Sequence, residues 1–112
     1  MTKDQVLARH ILECIDAVQA YVEPGQEVLW RDRKTWKATI RELQDLSEST
    51  QKLSTDLKAR HAQVPWALIS DFRNVIVHNY LGLDLHLIWK VITEDLELLR
   101  AMAESESSES TR

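Results

Sequence analysis

One cysteine, two glycines, two prolines and one phenylalanine are what this chain has least of. Cys14 alone forms no internal disulfide and leaves no cysteine-based metal cluster. So few turn formers in 112 residues exclude a sandwich or barrel, which would turn every ~8–12 residues. No apolar run approaches the ~20 residues that a membrane helix requires. The opening MTKDQVLARH is polar and charged, so no secretory signal is expected and the chain reads as cytoplasmic. Nor is there an excess of positive charge. The net charge is −4, which does not advertise a nucleic-acid binder.

What remains is 44% hydrophobic and 29% charged, enough for one modest core in one domain. Leu7, Ile11, Cys14, Ile15, Val18, Tyr21 and Val22 recur at three- and four-residue steps. That spacing predicts an amphipathic helix from about Lys3 to Val22, ended by Glu23-Pro24-Gly25. Cys14 falls on its apolar face, where a thiol is inert. A long second helix is expected from Glu27 or Asp32 to about Leu53, its stripe diluted at Ser47-Glu48-Ser49. Ser54 or Thr55 caps a short turn after it. Pro65 opens a third helix to about Tyr80, and Gly82 supplies a stop. Asp84 then caps a fourth helix carrying Leu85, Ile88, Trp89, Ile92, Leu96, Leu99 and Met102. The expectation is an all-α, up-and-down four-helix bundle. It spans residues 1–103, with an acidic disordered tail over 104–112. That tail carries Glu104, Glu106, Glu109 and Arg112, and without it the net charge is −2.

Charge is unevenly placed. Between Arg31 and Arg41 five cations face one anion, Asp32. Arg33, Lys37 and Arg41 share one helical stripe, either a solvated face or a strip that meets RNA phosphates.

The third helix ends in Arg73-Asn74-Val75-Ile76-Val77-His78-Asn79-Tyr80. Taking Arg73 as zero, helical geometry sets Asn74 at ~100° and His78 at ~140°, away from an apolar arc centred near ~260°. Tyr80 can bury its ring while its hydroxyl reaches the edge. A histidine passes protons near neutral pH, and an arginine braces phosphate oxygens in a planar fork. The same residues also suit an ordinary surface histidine and a paired arginine. Spacing alone leaves both readings open. Asp84-x-His86 is a very weak metal pattern, and no metal site is expected.

The stretch RNVIVHNY resembles the Arg-x4-His-x-Tyr motif of HepT-like toxins in the HEPN (higher eukaryote and prokaryote nucleotide-binding) superfamily. The similarity extends over Arg41–Ser49, Val64-Pro65-Trp66, Leu83-Asp84-Leu85, Ile88–Ile92 and Asp95-Leu96. Ser47 and Ser49 stand where the family has Gly and Ala. The resemblance implies a metal- and cofactor-independent endoribonuclease, with Arg73 and His78 catalytic and Asn74 supporting them. It also implies a homodimer, because one chain supplies a single motif histidine while cleavage needs a base and an acid. Finally, it implies an MntA-like minimal nucleotidyltransferase antitoxin that transfers AMP onto Tyr80, in a homodimer or a higher assembly with that antitoxin. A competing expectation is a non-catalytic nucleotide-binding or docking subunit of a nucleotidyltransferase, which the acidic charge balance suits.

Overall fold

The computed structural model describes residues 1–70 and 85–107. Helix α1 covers Lys3–Tyr21. It starts with a reciprocal cap: Gln5 N–H donates to the Thr2 hydroxyl, and Thr2 N–H donates to the Gln5 side chain. After Val22 the chain turns at Gly25, whose φ of 117° is a conformation that glycine adopts without steric cost. Helix α2 is one short segment, Glu27–Arg31. Helix α3 runs Arg33–Lys52. Asp32 separates them in extended geometry and caps α3, accepting from the Lys34 N–H and the Thr35 hydroxyl. The hydrogen bond from Thr35 holds the Asp32 carboxyl below its usual range. Both starts considered for the second helix are therefore real, as two helices with a break between them.

Ser54 caps helix α4, Thr55–Arg60, and its N–H and hydroxyl both donate to Asp4 in the first turn of α1. The described part of helix α5 spans 66–70, directly after Pro65. Helix α6 covers Leu85–Lys90, a π-helical turn Val91–Asp95, and helix α7 Leu96–Ser107, together one continuous rod. The wide turn is closed by Leu96 N–H donating to the Val91 carbonyl, five residues back. Periodicity gives no sign of it. Among the described residues there is no strand, as expected for an all-α fold. No described helix is long and apolar enough to cross a membrane.

The core forms where α3 and α7 both pack on α1. Ala8, Ile11, Cys14, Ile15 and Val18 of α1 meet Ile40, Leu43 and Leu46 of α3 and Leu96, Leu99, Met102 and Ala103 of α7, all buried. Each large aliphatic side chain so buried contributes about 1.5–3 kcal/mol. Arg100 of α7 donates to Asp16 (2.7 Å) and Gln19 (2.6 Å) of α1, so polar contacts border the same seam. Cys14 is buried as its position on the stripe requires. Burial, helped by the Glu42 carboxylate, pushes its thiol up to about 12, which removes any thiolate chemistry near neutral pH.

The boundary of the acidic tail needs correction. The helix does not stop at residue 103 but continues through Glu104 to Ser107. Glu106 receives Arg60 Nη2 at 2.9 Å and lies 2.6 Å from His61 Nε2. A partner 46 residues away thus orders a segment whose composition reads as disordered. Residues 108–112 of the expected tail, together with Gly82 and Asp84, lie outside the described residues. Burial opposes the ionised form of Glu106, yet the hydrogen bonds from Arg60 and His61 outweigh it and hold the carboxyl below its ordinary value. A depressed carboxylate contributes stability above the normal carboxylate range and loses it as pH falls through that range. We expect Glu106→Gln to cost about 1–2 kcal/mol at pH 7. In pH-resolved denaturant melts, the gap to wild type should close below about pH 4.

Candidate functional site

Arg73, Asn74, His78 and Tyr80 lie outside the described residues, so the site is built here from the two ends that hold their segment and from what lies between those ends. At the leading end, Trp66 follows Pro65 and anchors α5 on α4. Its indole N–H points at the carbonyls of His61 (3.0 Å) and Lys58 (3.2 Å), and Lys58 Nζ sits 5.7 Å from the ring centre. Gln51 of α3 donates to Ser70 at 2.8 Å, while Ile69 is buried in the core. Arg73 follows Ser70 by three residues. At the trailing end, His86 in the first turn of α6 packs against Trp30 of α2 with ring centres 5.3 Å apart. Contacts to α3, α4 and α2 thus fix the points where the motif's segment leaves and rejoins the described bundle.

A small cavity of about 10 Å³ lies where α3, the start of α5 and the last rod meet, lined among others by Ser47, Leu68, Ile69, Val91 and Asp95, about the space of one water. It is unusual in its polar atoms. Ser47 Oγ and Asp95 Oδ2 are both buried, and neither has a hydrogen-bond partner among the described residues. Lys90 Nζ, at 3.9 Å from Asp95 Oδ2, is a charge contact too long for a hydrogen bond. Sequence reasoning named Asp95 only as part of the resemblance and missed its burial, although the signal was present. Asp95 follows Val91 and Ile92 and precedes Leu99 and Met102 at core spacing, so a carboxylate stands on an apolar stripe. Ser47 and Ser49 are buried as well, and Thr50 Oγ1 donates to the Ser47 carbonyl at 2.7 Å. Small polar residues on α3 therefore line the contact with α5 and the last rod. Glu48, between them, faces outward.

The expected basic strip is exposed along α3, but its members differ. Arg41 Nε lies 3.3 Å from Asp45, which offsets its charge. Arg33 and Lys37 form no ion pair among the described residues, and neither does Lys34 beside them. The charge available to a polyanion is therefore shifted toward the N-terminal end of α3. Among the described residues, no three His, Cys, Asp or Glu side chains gather in a way that could hold a metal ion.

Ser47→Ala tests the cavity. Removing a buried, unpartnered hydroxyl from a helix interior should stabilise the fold by about 0.5–1.5 kcal/mol in urea denaturation. A loss of stability would mean that the hydroxyl has a partner.

The family described as ribonuclease HepT-like matches residues 11–106, from within α1 to the end of α7. A protein of Thermococcus cleftensis named "Probable ribonuclease HepT" is 27% identical over 99 residues, covering 85% of this chain and 90% of its own. A candidate RNase of Methanocaldococcus jannaschii is 31% identical over 67 residues, 60% of this chain and 62% of its own. A second protein of that organism, named as a gamma-glutamylcyclotransferase and candidate RNase, is 24% identical over 119 residues. That match takes in 100% of this chain but only 54% of the relative, so the chain spans about half of it. No solved structure gives a significant match. With a match that runs from the first helix through the last, the chain belongs to the ribonuclease HepT-like family.

Proposed function

We propose that this protein is the toxin of a toxin–antitoxin pair, a metal-independent endoribonuclease that a nucleotidyltransferase partner silences by AMPylation. The observation that supports this reading is that Arg73-x4-His78-x-Tyr80 occurs whole inside the stretch matched to the ribonuclease family. The described frame is consistent with it, because both ends of the segment carrying the motif are anchored to the bundle.

In the proposed reaction a base withdraws the proton of an RNA 2′-hydroxyl as its oxygen attacks the adjacent phosphorus. The P–O5′ bond breaks, and an acid protonates the departing 5′-oxygen. The products are a 2′,3′-cyclic phosphate and a 5′-hydroxyl, so protons and bonds balance without any further reactant. His78 serves as base or acid. Arg73 donates in a bidentate fork to the phosphorane-like oxygens, where charge builds in the transition state. Asn74 orients the phosphate or His78. The second proton-transfer group comes from His78 of another copy, which makes a homodimer the working unit. AMP on the phenol oxygen of Tyr80, two residues from His78, adds bulk and negative charge where the RNA phosphate must sit. The chain acts in the cytoplasm, where RNA and ATP both occur.

Purified protein in the presence of chelator should cleave RNA, and Arg73→Ala and His78→Ala should each lower the rate by at least about 100-fold with unchanged circular dichroism. Cleavage that persists in both variants rejects the catalytic assignment. Absence of cleavage by the wild-type protein would favour a docking subunit instead. Incubation with the partner nucleotidyltransferase and ATP should add AMP to Tyr80, mapped by peptide mass spectrometry, and the modified protein should lose cleavage. Modification at another residue rejects the acceptor.

A further inference from the structure

We infer that Trp30 is a stacking platform for an unpaired RNA base, set beside a phosphate-binding patch formed by Arg33, Lys34 and Lys37. The inference deepens the ribonuclease reading and rests on it for the choice of RNA as ligand. Leu29, one residue earlier, is buried and fixes α2 to the core, so Trp30 is turned outward with 42% of its surface exposed.

The contact with His86 fixes the indole without covering it. The two rings meet at 77°, an edge-on arrangement. Either the edge of the indole meets the imidazole face, or the imidazole edge meets one indole face. In both cases His86 leaves at least one indole face uncovered, and that is the surface on which a base stacks regardless of its identity. His86 also holds the ring in place before RNA arrives, which lowers the ordering cost of binding.

The surrounding charge suits a polynucleotide better than a protein. Residues 27–37 hold four cations and two anions, a net +2 in a chain of net −4. The anions are already engaged. Glu27 lies 3.4 Å from Arg31, and Asp32 accepts two hydrogen bonds as the cap of α3. Arg33, Lys34 and Lys37 are exposed and make no ion pair among the described residues. Three exposed cations without an ion pair among the described residues, three to seven residues along the chain from an exposed indole, are the combination that single-stranded nucleic acid uses, with phosphates on charge and a base on a ring. The platform also lies close to the motif along the chain. His86 is six residues past Tyr80, which limits the separation of their Cα atoms to about 20 Å. A strand cut at the motif can therefore place a neighbouring base on Trp30.

The test is fluorescence anisotropy with a labelled oligoadenylate of about ten nucleotides carrying 2′-O-methyl groups, which the enzyme cannot cut, titrated at several salt concentrations. Trp30→Leu keeps an apolar side chain but removes the ring. It should weaken binding about 5- to 50-fold without changing the salt slope, while Trp30→Phe stays within about threefold of wild type. Arg33→Glu with Lys37→Glu should instead flatten the slope by about one to two units. Should Trp30→Leu not fold, oligonucleotide-induced quenching of indole emission, present in wild type and lost in Trp30→Phe, reports the stack directly. Equal affinity of Trp30→Leu and wild type overturns the inference. So does a change in sedimentation on Trp30→Leu with RNA affinity intact, which would make this face a protein contact. Uncleaved ligand keeps the two readings separate: platform loss appears in affinity, whereas failure of the catalytic reading appears as cleavage surviving in Arg73→Ala and His78→Ala.

Discussion

Burial of one stripe on α1, between α3 and α7, is the constraint on which the rest of this structure depends. Ile11, Ile15 and Val18 are fully enclosed, and their enclosure sets where the other two long helices lie. Once α3 and α7 are fixed on α1, the rod that includes α7 carries α6 with it. Ser54 then ties α4 to the first turn of α1 through Asp4. The segment bearing Arg73 and His78 does not create this frame. The described residues on either side of it are held by this frame, through Gln51 and Trp66 before it and the Trp30–His86 contact after it.

Polar groups inside such a frame are expensive unless they are satisfied. The bundle nevertheless keeps Ser47 and Asp95 at a cavity between α3, the described start of α5 and the last rod. A wide π-helical turn ends at that carboxylate, and turns of this kind occur often at functional sites. The π-helical turn and two of the buried polar side chains thus meet at the cavity that α5 also lines.

Charge is unevenly distributed. Negative residues dominate the chain as a whole, yet the start of α3 carries exposed cations that form no ion pair among the described residues. Net charge alone argues against a polyanionic substrate, but the local arrangement removes that objection. Counting charges along the chain treats Arg41 and Arg33 alike. The structure separates them, because Asp45 stands one turn beyond Arg41 and Arg33 has no such partner among the described residues.

The sequence by itself determined the helical class, the extent of α1, the burial of Cys14, the position of Pro65 before a helix and the residue set of the motif. Those features are local: apolar spacing, caps and a contiguous octapeptide are complete within a few turns of chain. Only the tertiary structure decided that Glu106 belongs to a helix, that Asp95 is enclosed and that Trp30 leans on His86. Glu106 and Trp30 depend on partners dozens of residues away, and Asp95 on the helices that enclose it. No local pattern can encode contacts that exist only after the chain has packed.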